Sequence, residues 1–269
     1  MNLLKRVAVA LITIPIFIFF LFKGGYYLLA LMTVFSLISV IEMYNMMAKK
    51  KIFLNPFVFV TAPAIFLLIA NNYFSFVYGI IIFQLMISLS VALFQNTLDG
   101  AIRRAGSNTI TLLYPSSLFA FIYLIRNDLE SGKLLIFALV IIVWTTDSFA
   151  YFVGMKFGKH RNLFPASPKK SVEGFVGGFV FAFIAAFILH YFLDISLLQL
   201  LLAAFICGVF GQLGDLLESV LKRDIGVKDS SNLIPGHGGI LDRFDSLVVV
   251  SPIFYFAYKI LEDVFNYVG

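Results

Sequence analysis

Charge, sulfur and histidine are what this sequence has least of. Only 13% of its 269 residues are charged, and it carries one cysteine, one tryptophan and three histidines. The single cysteine, Cys207, excludes a disulfide framework and any cysteine-based metal site. No GxGxxG fingerprint occurs. The GxxxGK order from Gly154 to Lys159 is not a phosphate-binding P-loop, which needs four residues between its glycines and a Ser or Thr after the lysine. Internal repeats and low-complexity tracts are also missing. What remains is hydrophobic. Apolar residues make up 61% of the chain, 32 residues are Phe, and the mean hydropathy is +0.96. An ordinary soluble domain, with about half its residues apolar, is excluded.

A transmembrane helix needs about 20 mostly apolar residues. About nine such stretches are expected, at 5–22, 26–47, 53–70, 74–94, 108–125, 134–154, 172–192, 197–220 and 246–266. Long helical runs in place of alternating ten-residue strands argue against an outer-membrane barrel. Lys5 and Arg6 before the first stretch suggest a signal peptide, but no small-residue cleavage site follows. Lys23, Gly24 and Gly25 lead straight into another apolar run, so the first stretch reads as a retained helix. The fold class is all-α: one polytopic membrane bundle.

Basic residues orient it. With the N-terminus in the cytoplasm, the inner segments hold 16 of the 20 Lys and Arg. Only Lys23, Arg126, Lys133 and Lys259 fall elsewhere, which predicts N-in and C-out. The net charge of +5 is then a topology signal and gives no reason to expect nucleic acid. A basic cytoplasmic face still attracts anionic headgroups and phosphorylated solutes.

Residues 1–125 read as scaffold helices. Lys49–Lys51 and Arg103/Arg104 serve as topology anchors, Glu42 as a snorkelling or paired carboxylate, and Pro15, Pro63 and Pro115 as kinks. From 134 to 266 the inner helix ends gather polar groups into a catalytic half of the same domain. The richest segment is Ser219–Asp245, with nine ionisable side chains and a Gly-His-Gly-Gly turn between two apolar runs. Fixed charge at such a boundary points to binding or chemistry.

Asp242 and Asp245, three residues apart, share a face if helical. Two readings stay open: a hard cation such as Mg²⁺ lies between them, or both pair with Lys222, Arg223 or Lys228. Asp215 and Asp147 sit inside apolar runs. Glu218 and Lys222 make an i, i+4 pair, while Asp215 has no local basic partner, so a metal or substrate role is its default reading. Lys169 and Lys170 precede a helix start with Ser171 as N-cap and Glu173 in the first turn; this suits a phosphate as well as a topology anchor. Gly174–Gly178 is a GxxxG packing motif. The glycines around His237 offer an anion nest, whereas His160 and His190 look uninvolved.

These residues resemble the phosphatidate cytidylyltransferase family, also called CDP-diacylglycerol synthase. The family signature runs through Ser219, Leu221, Lys222, Arg223, Lys228, Asp229, Ser231, Ile234, Pro235, His237, Gly238, Gly239, Ile240, Asp242, Arg243, Phe244 and Asp245 without departure. Asp147, Ala150, Tyr151 and Gly154 in WTTDSFAYFVG, and the SPKKSVEG patch, extend the resemblance to residues 140–250. It implies transfer of a cytidylyl group from CTP to phosphatidic acid with Mg²⁺, and leaves a second, monovalent cation open. It also implies an enzyme of the inner membrane with a cytoplasmic site, working on membrane lipid and leaving homodimerisation open. The implied metal ligands are Asp215, Asp242 and Asp245, with Asp147 as a further candidate. Lys169 and Lys222 would act in catalysis. Ser219, Lys170, Arg223, Lys228, Arg243, Gly238, Gly239 and His237 would bind substrate. Two other classes compete: a secondary transporter for a phosphorylated solute, which predicts paired interrupted helices, and a CTP-dependent lipid kinase, which would release CDP.

Overall fold

The computed structural model describes residues 3–95, 98–234 and 236–268. The named elements are helices throughout: α1 (Leu3–Lys23), α2 (Gly25–Lys49), α3 (Val58–Ala70), α4 (Phe74–Phe94), α5 (Ala101–Asp128), α6 (Gly132–Phe157), α7 (Val172–Phe192), α8 (Leu197–Ile206), α9 (Gln212–Ile225) and α10 (Leu241–Val268). A π-helical turn, Cys207–Gly211, joins α8 to α9. Each expected apolar stretch falls wholly or in part on one of these helices, with α8, the π-turn and α9 forming one run.

Among the described residues, seven helices are long and apolar enough to cross a bilayer, and two apolar pieces, Leu11–Lys23 and Val58–Ala70, are shorter. The expected span 53–70 is therefore only half right. Asn55 and Pro56 break its start: the Asn55 carboxamide accepts from the Phe57 N–H at 3.0 Å, forming a side-chain turn that competes with helix. The 13-residue α3 rises about 20 Å, short of a 30 Å hydrocarbon core.

The chain forms two compact units. The first comprises residues 1–123 and 224–243, the second 124–223 and 244–269. In the first, α2 packs on α1 and α3, and α3 on α4. A buried polar chain ties them: Thr61 donates to Gln84 at 3.2 Å, and the backbone N–H of Asn55 donates to the Asn108 carboxamide at 2.8 Å. The segment after α9, which carries the Gly-His-Gly-Gly turn, belongs with these N-terminal helices and not with residues 134–223.

In the second unit, α6 and α7 form the most extensive helix pair. The GxxxG motif explains it. A Cβ at Gly174 would lie 2.7 Å from the Ala150 carbonyl, and one at Gly178 would lie 2.9 Å from that of Thr146. Only glycine lets the two backbones approach so closely. The stacked rings of Phe149 and Phe181, 3.6 Å between centroids, continue the seam.

Candidate active site

The start of α7 is built as the sequence predicts. Ser171 caps it, its Oγ accepting from the Gly174 N–H at 3.1 Å. Glu173 turns back to the preceding loop, accepting from the Lys159 N–H at 3.1 Å and meeting His160 Nδ1 at 2.6 Å. Arg161 staples the same loop: its guanidinium donates to the carbonyls of Gly154 (2.6 Å), Gly158 (3.1 Å) and Lys169 (3.3 Å). The lysine pair Lys169–Lys170 thus stands on a braced loop at a helix N-terminus.

That loop closes one side of a cavity of about 310 Å³ within the second unit. Lys169, Lys170 and Arg161 supply positive charge to its wall. Asp147 from α6 and Asp215 from α9 supply negative charge, and Tyr151 and Phe175 add aromatic surface. Gln212, just after the π-turn, fixes the floor by donating to the carbonyls of Phe175 (3.0 Å) and Gly208 (2.7 Å). A π-turn adds one residue to the helical register, and such turns recur at functional sites.

Asp147 and Asp215 line this cavity, and Asp245 lies within electrostatic reach of both. Asp147 interacts electrostatically with Asp245, Asp215 and Lys170, and Asp245 with Asp215, Lys222 and Glu218. Gly214 allows this approach, since a Cβ there would lie 2.6 Å from the Asp245 carbonyl. Lys170 Nζ pairs with Asp215 Oδ2 at 2.7 Å, so the basic partner that Asp215 lacks locally comes from the α6–α7 loop. Ser219 donates to Asp215 Oδ1 at 3.3 Å. Ser246 donates its N–H to Asp245 at 2.8 Å, and its Oγ lies 3.5 Å from Asp147. Lys222 and Glu218 form the expected pair at 2.9 Å, both buried. Arg223 is exposed and donates to the Ala166 carbonyl at 3.3 Å.

The remaining candidates, Lys228, His237, Gly238, Gly239, Asp242 and Arg243, belong to the first unit. Lys228 and Arg243 are exposed. His237 donates its N–H to the Ile234 carbonyl at 2.9 Å, while its ring Nδ1 is buried and, among the described residues, without a hydrogen-bond partner. Asp242 gives its Oδ2 to three donors: the Ser230 N–H (2.9 Å), the Ser230 hydroxyl (2.8 Å) and the Gly239 N–H (2.7 Å). Its most evident work is to anchor the signature loop. Sequence reasoning gave no functional weight to Glu42, yet this buried carboxylate takes four hydrogen bonds from the same loop.

Among the described residues, no three His, Cys, Asp or Glu side chains are close enough to enclose a metal by themselves. Mg²⁺ rarely asks for that: it takes one or two carboxylates, keeps several waters and shares the phosphates of its nucleotide. The hard oxygen donors of Asp147, Asp215 and Asp245, beside basic groups fit for phosphate, match that requirement in kind.

A cytidylyltransferase family model matches residues 4–261. The chain belongs to the cytidylyltransferase family. It is 36% identical over 255 residues to a phosphatidate cytidylyltransferase of Staphylococcus haemolyticus, covering 92% of this chain and 96% of that protein. A Staphylococcus aureus protein of the same name is 34% identical over the same shares. A Bacillus subtilis phosphatidate cytidylyltransferase is 46% identical over 154 residues, which cover 56% of this chain and 57% of that protein. Family membership makes the chain a nucleotidyltransferase, an enzyme of polytopic helical build.

Proposed function

We propose that this enzyme transfers the cytidylyl group of CTP to phosphatidic acid, releasing CDP-diacylglycerol and pyrophosphate. The observation that carries this reading is the cavity in which Lys169, Lys170 and Arg161 face Asp147 and Asp215. The names of relatives matching more than nine-tenths of the chain point the same way.

The difficulty of the reaction is electrostatic. A lipid phosphate oxygen attacks the α-phosphorus of CTP; the new P–O bond forms as the bond to the β-phosphate oxygen breaks, and pyrophosphate leaves with that electron pair. A phosphomonoester is largely ionised near neutral pH, so the nucleophile needs no strong base. Both reactants are anions, and their approach has to be neutralised. In this reading Lys169, Lys170, Lys222 and Arg223 hold phosphate oxygens, and Lys170 exchanges Asp215 for substrate. Asp147, Asp215 and Asp245 would hold Mg²⁺, which supplies charge neutralisation and alignment of the nucleotide phosphates. We place the site on the cytoplasmic side of the inner membrane, with the N-terminus inside and the C-terminus outside: CTP is water-soluble, the acyl chains stay in the leaflet, and the basic residues favour that orientation.

The test is purified protein with α-labelled CTP, phosphatidic acid in mixed micelles and Mg²⁺. Label entering the lipid phase with equimolar pyrophosphate is the expected result. Unlabelled lipid alongside labelled CDP would mean γ-phosphoryl transfer and would overturn the proposal.

A further inference from the structure

Glu42 is the only Asp or Glu between Met1 and Leu98. It lies in α2, 3% exposed, where an unsatisfied carboxylate would be costly. Among the described residues its partners are four donors, none cationic. Oε1 accepts from the Ser231 hydroxyl at 2.7 Å and the Ile240 N–H at 3.0 Å. Oε2 accepts from the Ser230 hydroxyl at 3.1 Å and the Leu241 N–H at 3.0 Å. Leu241 opens α10, so two backbone donors at that helix start, groups that no intrahelical carbonyl can satisfy, are met by a side chain from a distant helix.

The same loop is held from its other side by Asp242, and Ser230 Oγ contacts both carboxylates. Gly239 sits between them so tightly that a Cβ would run into Ser230 Oγ and Glu42 Oε1. Glu42 thus ties down both ends of the Ser230–Leu241 segment, and His237, Gly238 and Gly239 lie between those ties.

We propose that Glu42 is a positioning residue that holds the His237–Gly239 turn and the start of α10 in the geometry substrate requires. For its activity arm this rests on the reaction proposed above. The geometry asks specifically for two accepting oxygens, because the Ile240 and Leu241 N–H groups cannot reverse their roles. Glu42→Gln keeps the size but turns an NH₂ towards one of those pairs of donors. Glu42→Asp keeps both acceptors on a shorter stem.

The experiment uses the full chain in detergent micelles, with a nitroxide on Cys at Leu233, an exposed residue of the loop. We expect Glu42→Gln to mobilise the label and to lower kcat/KM for CTP roughly 10- to 100-fold per folded molecule. Glu42→Asp should restore part of both. Ser231→Ala, which removes one tie, should move both readouts in the same direction by less, and serves if Glu42→Gln fails to fold. A purely structural role predicts a lower Tm with unchanged kcat and KM per folded molecule, and that result overturns the proposal. So does an unchanged label spectrum in Glu42→Gln. If wild type transfers no cytidylyl group, the reaction proposal fails, while the label still decides whether Glu42 holds the loop.

Discussion

Lys170 and Asp215, from the α6–α7 loop and from α9, form an ion pair at 2.7 Å beside the cavity that Asp147 also lines. Both side chains are about one-third exposed, at 31% and 36%. A pair in that setting contributes only about 0–1 kcal/mol to stability. In the proposed reaction its value would be positional: an incoming phosphate would take Lys170 at little cost, and the Asp215 carboxylate would then be released to a cation.

Shape, and not charge alone, should therefore matter at this lysine. An ammonium is a compact point charge and a guanidinium a planar fork. Lys170→Arg should insert normally yet lose most of its activity. Lys50, paired with the exposed Asp224 at 2.6 Å, should accept Arg without effect. The measurement is specific activity per correctly inserted molecule at several CTP and phosphatidate concentrations. Equal harmlessness of the two changes would make Lys170 a topology anchor.

Asp242 and Asp245 should part company when mutated. Asp242→Ala strands buried loop donors at about 1–3 kcal/mol each, so its Tm should fall. Asp245→Asn should keep a near wild-type Tm and lose turnover by roughly 100-fold or more. Thermal melts and initial rates on the same preparations separate the two. A stable Asp242→Ala would remove the anchoring role.

The α6–α7 seam makes a third prediction. Gly178→Leu pushes a side chain into the Thr146 carbonyl and Ala150, and overpacking of this kind costs about 1–3 kcal/mol. Tm and the yield of monodisperse protein should both fall, while Gly106→Ala, whose Cβ would meet nothing within 4 Å, should be neutral. Comparable melts for the two would show that the seam tolerates separation.

Topology is testable by thiol labelling. Cys at Leu233, exposed in the signature loop, should react from the cytoplasmic side, and Cys at Asp194 from the outside. Reaction of Leu233 only from outside would invert the proposed sidedness.

The sequence made the helices legible because each apolar run is long and set off by polar residues or glycine. It misplaced the ends wherever a polar side chain substituted for the expected rule. Asn55 turned the first residues of 53–70 away from helix, and Arg103 and Arg104, expected as topology anchors ahead of the stretch 108–125, lie in the first turn of α5. The last helix begins at Leu241, five residues before the apolar stretch, where Glu42 accepts from the Ile240 and Leu241 N–H groups. Local relationships such as Ser171 capping α7 and the Glu218–Lys222 pair were readable from spacing. The Lys170–Asp215 pair, the approach of Ser246 to Asp147, and the grip of Glu42 on Ser230 and Ser231 were not, since each joins residues far apart in the chain. No periodicity encodes such a pairing.

The most direct test compares wild type with Asp215→Asn, following α-label from CTP into lipid alongside Tm. We expect wild type to form labelled CDP-lipid and equimolar pyrophosphate, and Asp215→Asn to fold equally well with transfer reduced roughly 100-fold or more. Wild-type transfer by a well-folded Asp215→Asn enzyme would contradict the assignment of this carboxylate cluster as the site of cytidylyl transfer.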